Sequence, residues 1–262
     1  HASFQTATTA VTNTALGMHA MRLTTTGSDN VAVGHEALDK NTTGGNNTAV
    51  GKSALIANTT ASFNTAVGDK AMQTNTTGTN NTAIGHQALN KNTTGGLNTG
   101  LGLNALYNNT TASNNTAVGH SALFANTTGD INTAVGRDAL KSNTTASSNN
   151  AFGREALRDN TTGTNNTAMG VSALSTNTTA SSNTALGTST LRLNTTGDQN
   201  TAVGHQALDA NTTGTVNTAV GKSALDANTT GGYNVAVGHD SMLLNTTGIT
   251  NTALGNNALR GN

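Results

Sequence analysis

Residues 47–63 read NTAVGKSALIANTTASF, and residues 64–80 read NTAVGDKAMQTNTTGTN. The same 17-residue unit recurs without insertion from Asn13 onward. If the Asn of N-T-A-V-G is position 1, then position 1 is Asn and position 5 is Gly in all fifteen copies. A period kept this strictly indicates that every copy stacks on the next with the same geometry.

The length and residue types of the repeat predict the fold class. Seventeen residues are too few for a pair of helices or a leucine-rich repeat, but they suit one turn of a parallel β-solenoid. The T-A-V segment favours a short strand that ends at Gly, and the N-T-T segment favours a second strand followed by a turn. We therefore predict an all-β chain, a β-roll of about fifteen 17-residue coils stacked about 4.8 Å apart.

The repeat runs through the whole chain, which predicts a single solenoid array over residues 1–262. Residues 1–12 match positions 6 to 17 and form a partial first coil, and residues 251–262 match positions 1 to 12 and form a partial last coil. Neither end carries a capping sequence, which solenoid ends normally need. We expect a slice of a longer protein, or ends that neighbouring chains mask.

The near-invariant positions are the candidate structural residues of each coil. Position 4 is always apolar and position 9 is always Leu or Met, so these two positions predict a thin core. Asn at positions 1 and 12 is expected to form ladders of side-chain amides that hydrogen-bond from coil to coil and satisfy backbone groups at corners. In the copy that begins at residue 47, the structural residues are Asn47, Ala49, Val50, Gly51, Ala54, Leu55, Asn58, Thr59 and Thr60.

The second turn of the repeat exists in two versions. Position 15 is Gly in ten copies and Ala in four, and Ser follows each Ala. We interpret T-T-A-S as an alternative turn in which the Ser hydroxyl caps a backbone group. The four pairs are Ala61-Ser62, Ala112-Ser113, Ala146-Ser147 and Ala180-Ser181.

The distribution of charge predicts which side of the coil contacts another chain. Of the 24 charged residues, 21 lie at positions 6, 7, 10 and 11, and positions 1 to 5 carry none. Side chains alternate along a strand, so the residues at positions 3 and 4 must face opposite ways. We expect the aliphatic residue at position 4 to face inward and Ala at position 3 to form an outward strip. Such a strip predicts close packing against another chain, because self-association would supply the burial that a thin core lacks.

Several function classes find no support in the sequence. Twelve basic and twelve acidic residues give a net charge of zero, which argues against a nucleic-acid partner. No apolar run approaches the length needed for membrane insertion. The position-6 histidines are two to five coils apart, so we read them as solvated residues and predict no metal site; they are His35, His86, His120, His205 and His239. With no nucleophile motif or phosphate loop, we predict no catalytic residues, no cofactor and no enzymatic activity.

The repeated N-T-A-V-G-x-x-A-L, as in residues 47–55 and 217–225, resembles the head repeats of trimeric autotransporter adhesins. It also looks like the repeat regions of phage tail fibres and related surface proteins. The adhesin resemblance implies a left-handed parallel β-roll, three chains side by side, and an extracellular location on a cell surface or a virion fibre. This repeat is longer than the family's, because the N-T-T-G segment is added.

Three functional hypotheses follow from the sequence. The first is a trimeric extracellular fibre segment for adhesion or spacing, whose partners are further copies of the chain and a host-surface glycan or protein. The second is a solenoid that binds ice or another flat surface through the regular Thr columns at positions 13 and 14. Since only one of two adjacent Thr residues in a strand can face outward, a two-column face would need Thr at position 2, which Val31, Asn150 and Val235 interrupt. The third is a filament or sheath subunit, for which an unchanging register would suffice.

Overall fold

The computed structural model describes residues 8–261. The chain divides into two compact units, His1–Ile131 and Asn132–Asn262. Each coil contributes one three-residue strand. In the first unit the strands are β1 Thr14–Leu16, β2 Val31–Val33, β3 Thr48–Val50, β4 Thr65–Val67, β5 Thr82–Ile84, β6 Thr99–Leu101 and β7 Thr116–Val118. In the second they are β8 Thr133–Val135, β9 Asn150–Phe152, β10 Thr167–Met169, β11 Thr184–Leu186, β12 Thr201–Val203, β13 Thr218–Val220, β14 Val235–Val237 and β15 Thr252–Leu254.

The strands of each unit form one parallel sheet in chain order. Every strand pairs with the strand 17 residues later, as Ala49 of β3 pairs with Ala66 of β4. The pairings run from β1 to β7 in the first unit and from β8 to β15 in the second. Identical residues therefore stack in columns, and the prediction of an all-β parallel solenoid is confirmed.

The predicted second strand at N-T-T is wrong, because this segment is a bend throughout the described residues. The backbone N–H groups of Thr42 and Thr43 both donate to the carbonyl of Thr59, at 2.8 and 3.2 Å. A strand would spread these bonds over alternate residues. Because two successive N–H groups share one acceptor, the chain turns a corner at N-T-T. The same two hydrogen bonds also join each coil to the next.

The Gly at position 5 ends every strand for two reasons that the structure makes explicit. Gly51 has a φ of +135°, a conformation open to Gly and costly for other residues. A Cβ added to Gly51 would also lie 2.4 Å from the carbonyl oxygen of Gly68 in the next coil. Close stacking of backbone on backbone therefore excludes a side chain at this position.

The inside of each coil holds Ala, Leu or Met, and Asn. Position 9 was correctly predicted as core: Leu55 is fully buried although its φ is +51°. A left-handed Leu costs about 1–2 kcal/mol, which burial of the whole side chain offsets with about 1.5–3 kcal/mol. The Ala side chains at positions 3 and 8, such as Ala49 and Ala54, are also fully buried.

The predicted orientation of the strand is wrong. Ala49 at position 3 faces the inside and Val50 at position 4 faces outward, and this holds along the described strands. The small interior of a 17-residue coil is the reason: a Cβ at position 3 of β6 would already lie 3.5 Å from Leu89 Cδ1 and 3.3 Å from the Ala105 carbonyl oxygen, so position 3 has room for a methyl group and little more. The expected outward strip of Ala therefore does not exist, and an aliphatic strip takes its place.

Candidate interaction surface

The outward side of the strands is a regular surface of Thr and aliphatic side chains. Strand alternation places positions 2 and 4 on this side, so Thr48 and Val50 stand next to Thr65 and Val67 of the following coil. No copy carries a charge at either position. We call the fifteen position-4 residues the aliphatic strip; they are Leu16, Val33, Val50, Val67, Ile84, Leu101 and Val118 in the first unit, and Val135, Phe152, Met169, Leu186, Val203, Val220, Val237 and Leu254 in the second.

The aliphatic strip is substantially exposed to solvent. Leu101 is 43 % exposed and Met169 is 49 % exposed, while Val50 and Val67 are half-buried. Single exposed apolar residues are ordinary on protein surfaces, but a contiguous charge-free column of them marks an interaction site. The aliphatic strip, in place of the expected Ala strip, is therefore the candidate interaction surface.

Two ladders of buried Asn side chains run from coil to coil, as the sequence predicted. At position 12, Asn58 Nδ2 donates to Asn41 Oδ1 at 2.9 Å and to the Ala61 carbonyl at 3.0 Å. At position 1, the backbone N–H of Asn47 donates to Asn30 Oδ1 at 2.9 Å, and Asn47 Nδ2 donates to the Ala61 carbonyl at 2.9 Å. These buried amides bond consecutive coils, and both hold the Ala61 carbonyl that follows the N-T-T corner.

The Thr residues of N-T-T have different surroundings. Thr59 at position 13 is half-buried, and its hydroxyl donates to the Thr76 carbonyl of the next coil at 3.2 Å. Thr60 at position 14 is exposed. Since the Thr59 hydroxyl bonds consecutive coils, position 14 carries the exposed Thr column of the N-T-T segment, in line with the expectation that only one of the two columns faces outward.

The alternative turn behaves as predicted. Ser62 Oγ accepts a hydrogen bond from the Gly45 backbone N–H at 3.0 Å, and Ser113 Oγ accepts one from the Gly96 N–H at 3.1 Å. In each case the Ser caps the coil that precedes it. Asp198 performs the same task with a carboxylate, which accepts from the Ser181 N–H at 2.6 Å.

A separate charged side comprises positions 6, 7, 10 and 11. Arg22 binds Asp39 of the next coil through two hydrogen bonds of 2.9 and 3.1 Å, and this bonding raises the pKa of Arg22. Arg192 repeats the arrangement with Asp209. Burial, and then the like charge of Asp209, raise the pKa of Asp226 in the same column. Charges thus pair both along the stacking direction, as at Arg22 and Arg192, and within a coil, as between Arg158 and Asp159 at 2.7 Å.

Residues 8–261 contain no group of three or more His, Asp or Glu side chains placed to hold a metal ion. No pocket is present in the described part of the chain. Its residues include no helix long and apolar enough to cross a membrane. Four of the five position-6 histidines are exposed, as expected, namely His86, His120, His205 and His239, whereas His35 is half-buried.

The nine structural residues predicted for the copy at 47–60 divide between the inside and the outside of the coil. Asn47, Ala49, Ala54, Leu55 and Asn58 are buried, and Gly51 forms the bend after the strand. Val50 is the residue that sequence reasoning placed on the wrong side. Its uniform apolar character was read as a core signal, although the charge-free columns beside it also fit an interface.

The comparisons with known proteins add no family assignment. No protein-family model, curated protein or solved structure matches the chain.

Proposed function

We propose that this chain is a structural rod segment of an extracellular fibre, in which three copies pack side by side through their aliphatic strips. The observation that carries the proposal is the outward, charge-free column of aliphatic residues at position 4. Its role is adhesion or spacing at a cell or virion surface, without catalysis. Further copies of the chain are the primary partners, and a host-surface glycan or protein is the proposed target.

The energetics of a small coil support self-association. The interior is filled by Ala and by one Leu or Met per coil, whereas the strip leaves a second aliphatic residue in water. Removing an aliphatic side chain from water is worth about 25 cal/mol for each Å² of apolar surface. A repeat array multiplies this gain by the number of coils, because an identical residue recurs at each level.

Parallel packing suits the strip because the column is continuous within each unit. Copies related by a rotation axis parallel to the stacking direction bring equal levels together, so Leu101 meets Leu101 of its neighbours. A closed ring of this kind needs no second surface. Three chains match the resemblance to trimeric autotransporter heads, and the resemblance is the ground for that number.

Substitution of two strip residues in the first unit tests the proposal. The double variant Ile84→Asp/Leu101→Asp places carboxylates at two adjacent levels of the interface, where like charges repel by several kcal/mol. The expected result is a native mass that falls from three chains to one, measured by light scattering coupled to size exclusion.

The chain offers a matched control in the same two coils. His86→Asp/Leu103→Asp adds the same charges at position 6, where Leu103 is 42 % exposed and Leu101 is 43 % exposed. This control should keep the native mass of the parent. If both double variants keep it, the aliphatic strip is not the interface.

A second candidate function is binding to ice or another flat surface. The observation in its favour is that positions 2 and 4 both face outward, so Thr and aliphatic columns lie side by side on a regular sheet. This surface and the trimer interface would use the same residues. A monomeric parent chain with thermal hysteresis, abolished by Ile84→Asp/Leu101→Asp, would favour surface binding over the fibre.

A further inference from the structure

The sequence contains two kinds of Asn-X-Thr triplet, the acceptor sequence for N-linked glycans. Thirteen copies carry N-T-T at positions 12 to 14, from Asn41 to Asn245. A second kind, N-N-T, begins at position 17 and continues into the strand of the next copy. Its acceptors are Asn46, Asn80, Asn114 and Asn165. The structure gives these two groups of Asn residues opposite surroundings.

The N-T-T acceptors are closed to modification in the folded chain. All thirteen are buried, and the largest exposed fraction among them is the 2 % of Asn245. The amide of Asn58 uses both of its hydrogens: Nδ2 donates to Asn41 Oδ1 at 2.9 Å and to the Ala61 carbonyl at 3.0 Å. Neither hydrogen can therefore be replaced without the loss of a buried hydrogen bond.

The chemistry of N-glycosylation acts on this amide nitrogen. Asn Nδ2 forms a bond to the anomeric carbon of a lipid-pyrophosphate-linked oligosaccharide, the lipid pyrophosphate leaves, and Nδ2 loses one proton. A glycosylated Asn58 would keep one hydrogen for two acceptors, and its sugar would need space inside the coil. Glycosylation of an N-T-T triplet and formation of the Asn ladder therefore exclude each other.

The position-17 acceptors are open by comparison. The amide of Asn80 donates to the exposed hydroxyl of Thr79 at 3.1 Å, so a sugar on it would displace no buried hydrogen bond. Asn108, which begins an N-N-T triplet at position 11, is intermediate, because it is half-buried and its Nδ2 donates to the Phe124 carbonyl at 3.1 Å. The position-17 residues are all exposed, with φ values of +58° or +59° that Asn tolerates in turns; they are Asn46, Asn80, Asn114 and Asn165.

The spacing of the two kinds of triplet differs as well. Asn46, Asn80 and Asn114 occur in every second coil of the first unit, so their side chains lie about 10 Å apart along the stacking direction. The N-T-T triplets recur in consecutive coils, about 4.8 Å apart, where neighbouring glycans would collide. Spacing and burial thus favour the same group of acceptors.

We infer that the folded chain accepts N-linked glycans at Asn46, Asn80, Asn114 and Asn165, and that glycosylation of an N-T-T triplet prevents its coil from folding. A chain that meets an oligosaccharyltransferase before it folds is therefore diverted from the rod. The inference does not rest on the proposed fibre, because it concerns the single chain and holds for any number of associated copies.

Expression of the chain behind a secretion signal in a eukaryotic host tests the inference, because the oligosaccharyltransferase there meets the chain before it folds. Resistance to protease separates the folded fraction, and mass spectrometry of its glycopeptides locates the glycans. We expect glycans at the four position-17 acceptors and bare N-T-T triplets in the folded fraction. An N-T-T glycan in that fraction, or four bare position-17 acceptors, would overturn the inference.

Two matched variants separate the effect of the glycan from the effect of the side chain. Thr→Ala at position 14 of the thirteen N-T-T triplets removes their acceptor sequence, whereas Thr→Ser at the same positions keeps it. These Thr residues are exposed, so both variants should fold when they are made in a bacterial cytoplasm that lacks the enzyme. In the eukaryotic host the Ala variant should be secreted folded, and the Ser variant should lose most of its folded protein. Equal folded yields of the two variants in that host would refute the exclusion.

Discussion

Substitution of Ala for Gly at two sites in the first unit should give opposite results. Gly51 ends β3 with a φ of +135°, and an added Cβ would lie 2.4 Å from the Gly68 carbonyl oxygen. Gly100 is the one Gly at position 3, where every other copy has Ala. Its added Cβ would lie 3.3 Å from the Ala105 carbonyl oxygen and 3.5 Å from Leu89 Cδ1. The first site excludes a methyl group, and the second accepts one.

The magnitudes follow from these contacts. At Gly51, the strained backbone costs about 1–3 kcal/mol. An ordinary contact needs about 3.5 Å, so the coils must part by about 1 Å. That separation weakens the two bonds of 2.8 Å that join these coils, from the Gly68 N–H to the Val50 carbonyl and from the Thr48 N–H to the Asn64 carbonyl, at about 1 kcal/mol each. We expect Gly51→Ala to lower the free energy of unfolding by about 3–5 kcal/mol, and Gly100→Ala to raise it by about 0.5–1 kcal/mol.

Urea unfolding followed by far-ultraviolet circular dichroism measures both changes. With a slope of about 3 kcal/mol/M, the midpoint of Gly51→Ala should fall by about 1 M or more. Because repeat arrays can unfold in parts, hydrogen exchange of the amides in the coils flanking residue 51 provides a local measurement. An unchanged midpoint and unchanged exchange for Gly51→Ala would refute the claim that backbone stacking on backbone requires Gly at position 5.

Two further predictions concern buried polar groups. Asn58→Ala removes the amide that donates to Asn41 Oδ1 and to the Ala61 carbonyl. It should lower the free energy of unfolding in urea by about 2–4 kcal/mol, whereas Thr60→Ala at an exposed site should change this free energy little. Equal decreases for the two variants would contradict the Asn ladder. Burial, and then the like charge of Asp209, raise the pKa of Asp226 in the folded protein. The contribution of Asp226 to the stability of the fold is therefore complete below the ordinary pKa of 3.8, and it is lost as the pH rises through the raised pKa. Asp226→Asn should therefore raise the urea midpoint at neutral pH, and this gain should vanish below pH 3.8. A gain that persists unchanged below pH 3.8 would contradict the raised pKa of Asp226.

The repeat period was the most informative feature of the sequence. An unbroken register of 17 predicts parallel stacking of identical residues, and the pairing of Thr48 with Thr65 follows from it. The Asn ladders were equally predictable, because an amide that recurs once per coil has its own counterpart as the nearest partner. The Ser cap of the T-T-A-S turn could be inferred from the coupling of Ala61 with Ser62.

The orientation of the strand could not be derived from residue types alone. Alternation says that Ala49 and Val50 face opposite ways, but the choice between them depends on how much room the coil encloses. That room is limited by the buried position-9 side chain and the position-8 carbonyl: at Gly100 an added Cβ would lie 3.5 Å from Leu89 Cδ1 and 3.3 Å from the Ala105 carbonyl oxygen. The prediction from hydrophobicity put Val50 inside the coil. In the structure the small volume inside the coil leaves Val50 on the outside.

The second strand was mispredicted because Thr suits two conformations. It favours an extended backbone, but it also fits a corner in which its hydroxyl bonds the next coil. Thr42 and Thr43 direct their N–H groups to one carbonyl, a detail of backbone geometry that residue preference does not contain. The left-handed backbone conformation at positions 7, 9 and 17 could not be predicted from residue types either, since Leu55 adopts it against the preference of Leu. Stacking contacts between coils override preference at these positions.

The native mass in solution tests the central proposal most directly. It is best measured by light scattering coupled to size exclusion on the parent chain. Packing through the aliphatic strip predicts three times the 26.1 kDa of one chain. A single species of one chain, folded by circular dichroism, would contradict it.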